Sequence, residues 1–64
     1  MARKFCSALR SAIADEKAAV KEYDKLSSSV FEVDVYRGSS IVLIRDDESG
    51  HARVLQEIFD ELCR

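Results

Sequence analysis

Proline is absent from the chain and glycine occurs only twice, at Gly38 and Gly50. The two residues that most strongly interrupt helices are therefore nearly missing. No apolar run is longer than the four residues Ile41 to Ile44. That is far too short for a membrane span or a signal-peptide core, so a soluble protein that stays where it is made, in the cytoplasm, is expected. Basic residues are not clustered: 10 Lys and Arg are interspersed with 12 Asp and Glu for a net charge of -2. A nucleic-acid footprint is thus lacking. Cysteine appears only as Cys6 and Cys63 and forms no C-x-x-C pair, which excludes a zinc ribbon and a thioredoxin-like motif. Two free buried thiols is the expected state, although an antiparallel helical hairpin would bring both ends together and make a bridge geometrically possible.

The 64 residues allow one small domain. Chains of this size usually need a disulfide, a metal or a partner chain to be stable. Residues 2–28 are rich in Ala, Lys, Glu, Arg and Leu and predict a first helix. Its apolar stripe steps by three and four through Cys6, Leu9, Ile13, Glu16, Val20 and Tyr23, with Phe5, Ala12, Ala19 and Leu26 beside it. An acid, Glu16, occupies the middle of that stripe. Ser27, Ser28 and Ser29 are expected to end the helix, and a connection over residues 29–39 follows. Arg37-Gly38-Ser39-Ser40 supplies a break and an N-cap for a second helix over residues 40–63. Within the connection, Val30 to Tyr36 alternates with period two and reads as extended. It could pair with Ile41 to Arg45 as a β-hairpin, giving an αββα alternative to the all-α hairpin.

The second helix steps through Ile41, Ile44, Glu48, His51, Leu55, Ile58 and Leu62, a coiled-coil-like seam expected to face the partner helix. Glu48 and His51 stand where a core helix would place Leu or Ile. A buried ionisable group is costly unless paired or bound to a metal. Each residue alone has an ordinary reading: His51 as a core or partly exposed side chain, Glu16 as a carboxylate at the seam edge, Tyr23 as plain core with its hydroxyl at the rim. Together they form the ligand set Glu, Glu-x-x-His, half of what a di-metal carboxylate four-helix bundle needs. A two-fold homodimer would supply four helices and six ligands, and its four carboxylates would balance two divalent ions. Mixed carboxylate and imidazole ligation suits iron or manganese, with zinc tolerated.

Two blocks, Ala12 to Tyr23 and Ile44 to Leu55, resemble the ferritin-like and rubrerythrin-like superfamily. The resemblance implies the half-ferritin arrangement, in which an antiparallel hairpin dimerises into a four-helix bundle with two irons per dimer. It makes Glu16 a ligand, Glu48 a bridging ligand, His51 a terminal ligand, and Tyr23 a residue hydrogen-bonded to a ligand carboxylate. The activity implied is Fe(II) oxidation by oxygen or peroxide, with turnover left open. No segment remains to build a storage cage, and Gly50 inside the second block departs from the family pattern. The alternative is a non-catalytic helical dimerisation module whose seam Glu and His residues set pairing register. Under the αββα reading, Glu48 and His51 would instead lie on a surface turn of some other binding domain.

Overall fold

The computed structural model describes residues 4–63, which form two α-helices of 28 residues each, α1 (Lys4–Phe31) and α2 (Val35–Leu62). They pack antiparallel into a rod of 51 × 14 × 11 Å. The fold is an all-α helical hairpin, and no strand occurs among the described residues. The extended reading of Val30 to Tyr36, and with it the αββα order, is therefore corrected. β-Branched residues are only weakly disfavoured in helices, and these stand at the end of α1, in the turn and in the first turn of α2, with Val33 and Val35 90% and 67% exposed.

The connection is also much shorter than the expected residues 29–39, since only Glu32, Val33 and Asp34 separate the helices. Ser27, Ser28 and Ser29 do not end α1. Their hydroxyls donate to carbonyls one turn back, Ser27 Oγ to Asp24 O at 2.8 Å and Ser28 Oγ to the same oxygen at 3.2 Å, so each is satisfied within the helix. The reversal is made by Val30, whose carbonyl accepts from both Val33 N at 3.0 Å and Asp34 N at 2.7 Å. Asp34, rather than the Ser39-Ser40 pair, is the N-cap of α2. Its backbone is extended (φ -151°, ψ 100°) and its side chain accepts from Arg37 N at 3.1 Å.

Two anchors set the rotation of α2 against α1. At the turn, the Phe31 ring lies directly on Gly38, where an added Cβ would meet ring carbons at 2.7 to 3.0 Å. At the far end, Cys6 and Cys63 form a disulfide with their Cα atoms 5.8 Å apart, which corrects the expectation of two free thiols. Gly38 and Cys63 are 25 residues apart. At about 100° per residue they fall within about 20° of one another on the helix surface, so both face α1.

This rotation places Gly38, Arg45, Ala52, Phe59 and Cys63 toward α1. The sequence stripe Ile44, His51, Ile58, Leu62 falls beside that line and remains exposed, a correction to the expectation that it faces the partner helix. Two helices touch along only one narrow stripe, and Ile41, Glu48 and Leu55 are the positions shared between the expected seam and the observed one. On α1 the expected stripe is buried or half-buried from Cys6 to Tyr23 and continues through Ser27, the most buried polar residue at 3% exposure. The true core is small: Ile13 and Ala52 are the buried apolar residues among those described.

Candidate metal centre

Glu16 rises from the middle of the packed stripe of α1, and Glu48 and His51 follow one another by a single turn on α2. The hairpin brings all three to one side, with one ligand atom of each lying within 4.8 Å of the others. Donors that share an ion at about 2.1 Å stand about 3–4 Å apart, so modest side-chain rotation would close the set around one metal. His51 Nδ1 lies 4.0 Å from Glu16 Oε2, and that oxygen is buried without a hydrogen-bond partner. An unpaired buried carboxylate oxygen is costly, and a cation is one partner that would satisfy it. The donor chemistry and the orphaned oxygen both fit a divalent ion of the iron, manganese or zinc type.

Electrostatics agree with an incomplete site. The Glu48 carboxyl beside it holds Glu16 above its ordinary value of 4.5, first through a hydrogen bond between the two acids, then through burial and like-charge repulsion. His51 acts in the opposite sense. His51 itself is 63% exposed, whereas Glu16 is only 25% exposed.

Tyr23 lies two turns beyond Glu16 on the same face and lines a shallow recess with Ala19, Glu22 and Leu26. The expected hydrogen bond from its hydroxyl to a ligand carboxylate is absent among the described residues. Arg45, which the stripe reading passed over, lies one turn before Glu48. Its guanidinium reaches across to Asp24 Oδ1 at 2.6 Å and also contacts Asp46 Oδ1 at 3.1 Å. An arginine at a packed position of α2, with acids available on α1, was the available signal.

Exposed apolar side chains surround the triad. Ile44, Ile58 and Leu62 continue its stripe on α2, and Phe5 and Leu26 flank it on α1. No helix among the described residues is long and apolar enough to cross a membrane. Fold and site together define a two-helix hairpin that carries a carboxylate and imidazole cluster at the centre of an exposed apolar face. Comparison with known proteins returns no match, whether with family models, curated proteins or solved structures.

Proposed function

We propose that the chain is a metal-binding protein of the half-ferritin kind, in which two copies join through the apolar face and enclose two divalent ions. The observation that carries the reading is the meeting of Glu16, Glu48 and His51 around an unpaired buried oxygen, in the middle of exposed Ile44, Ile58 and Leu62. Burying that face in a dimer would remove apolar surface from water and dry the site, which strengthens every charge interaction within it. Two copies would bring four carboxylates, which two divalent ions neutralise.

In this reading Glu16, Glu48 and His51 would hold the metal through their carboxylate and imidazole atoms, and binding would need the Glu16 carboxyl ionised. Iron bound there would supply one-electron chemistry toward oxygen or peroxide, making Fe(II) oxidation the reaction class. The test is anaerobic Fe(II) titration with mass determination in solution. Two irons per dimer are expected, followed on exposure to air by loss of chelatable Fe(II). A monomer that binds no iron overturns the reading, and binding without oxidation leaves a metal-binding dimer with no catalytic role.

The meeting of Glu16 and Glu48 beside the packed line also favours a second reading, a register device in which these polar groups fix helix alignment without metal. Such a device would gain no thermal stability from Fe(II), Mn(II) or Zn(II).

A further inference from the structure

The outward face of α2, opposite the line that packs on α1, carries a third stripe that neither the hairpin nor the metal site uses. It runs Leu43, Asp47, Gly50, Val54, Glu57 and Glu61 in strict steps of four and three. Leu43 is 66% exposed and Val54 51% exposed. Asp47, Glu57 and Glu61 form no ion pair among the described residues. Gly50 has open space where a Cβ would stand, so nothing within the hairpin requires a glycine there. Mid-helix glycine weakens a helix, and close approach of another backbone is a physical reason to keep one.

The back of the hairpin, on the side away from the triad, is a groove of complementary character. Arg10, Lys17 and Lys21 line its α1 rim and Arg53 and Glu57 its α2 rim, over a floor that includes Val20 and Ala52, so cations outnumber the one acid there. None of these four cations has an ion-pair partner among the described residues, although Arg10 lies over the Phe59 ring at 5.3 Å. The groove extends about 16 Å, the rise of the eleven residues from Arg10 to Lys21. Lys17 and Lys21 repeat the four-residue step of Glu57 and Glu61.

We propose that the acidic outward ridge of α2 docks into the basic groove of another copy of this chain. The ridge brings Asp47, Glu61 and two exposed apolar side chains to four cations without ion pairs and an apolar floor, while Gly50 lets the backbones come close. Ridge and groove meet at Glu57 but otherwise use different residues, so the contact is head-to-tail and repeats from copy to copy. It goes beyond the metal-bound dimer and does not depend on it, since every hairpin carries both surfaces. The area is modest and the attraction largely ionic, so association follows concentration and is screened by salt.

Sedimentation of the metal-free and metal-loaded protein at low and high salt tests this. At low salt the mean mass should rise with concentration above that of the base unit, and at about 0.5 M salt it should fall back. Lys17→Glu with Lys21→Glu, or Asp47→Lys with Glu61→Lys, should each remain at the base unit with unchanged helical circular dichroism. Their equimolar mixture should regain the larger species, because each variant then offers the charge the other lacks. Gly50→Ala should raise the melting temperature of the base unit and weaken growth beyond it. Wild-type protein that never exceeds the base unit, charge-reversed variants that assemble as the wild type does, or a mixture that stays small each overturn the proposal. Dimers that hold two metals but never grow defeat this inference alone, and salt-sensitive growth without metal binding defeats only the metal reading.

Discussion

Glu16 of α1 and Glu48 of α2 meet across the hairpin, and their proximity makes the stability of the protein depend on pH. Metal-free, Glu16 is held above its ordinary carboxylate value by the hydrogen bond to Glu48, by burial and by repulsion. A raised folded-state value means that the Glu16 contribution to stability is complete below 4.5 and is lost as pH rises through the raised value. Thermal melts of metal-free protein, compared with Glu16→Gln, should therefore show the wild type losing stability relative to the variant as pH rises through this range. Saturating Zn(II) or Fe(II) should reverse the slope, because metal holds the ionised carboxylates and is released as they take up protons. Glu48→Ala should abolish the stabilisation by metal, about 2.7 kcal/mol at a hundredfold excess over the dissociation constant, while leaving metal-free stability undiminished. If the metal-free variant instead loses about 2–3 kcal/mol, as truncation of a packed leucine would, Glu48 is serving as core.

At the scale of the element, the two glycines of α2 sit in opposite circumstances. Gly38 is where the turn end of the hairpin closes, with the Phe31 ring occupying the space a side chain would need. Gly38→Ala should lower stability by about 1–2 kcal/mol, the overlap outweighing the gain in helix propensity. Gly50 faces open space, and Gly50→Ala should raise it by about 0.5–1 kcal/mol at high salt, where the base unit is isolated. Chemical denaturation of the two variants checks both signs. The helices themselves were legible in the composition, but their ends were not. Ser27 to Ser29 have the residue types of a helix stop, yet their hydroxyls bond to carbonyls of their own helix. Val30 to Tyr36 alternates as a strand does, yet a three-residue turn leaves no chain to spare for a β-ladder.

For the whole molecule, the disulfide decides whether one hairpin stands alone. With Ile13 and Ala52 as the buried apolar residues, the core is too thin to secure a rod of this length. Cys6 and Cys63 close nearly the full chain, with a sequence separation of 57. In the chain-entropy account such a bridge is worth about 4 kcal/mol. Reduction should therefore lower the melting temperature sharply in dilute metal-free protein and much less in concentrated metal-loaded protein, where dimerisation would supply the missing burial. Equal losses under both conditions would mean that no second copy shares the load.

Composition and periodicity by themselves determined that the chain is helical, that Glu16 and the Glu48–His51 pair interrupt otherwise apolar stripes, and that charge of neither sign dominates. Those properties are local: they depend on intrinsic propensity and on spacing along one helix. Only the tertiary structure decided which stripe of α2 meets α1, because rotation about a helix axis is fixed by distant pairs, here Phe31 on Gly38 and Cys6 on Cys63. That rotation leaves His51, Ile44 and Ile58 exposed, while Glu16 and Glu48 stay at the edge of the packed line.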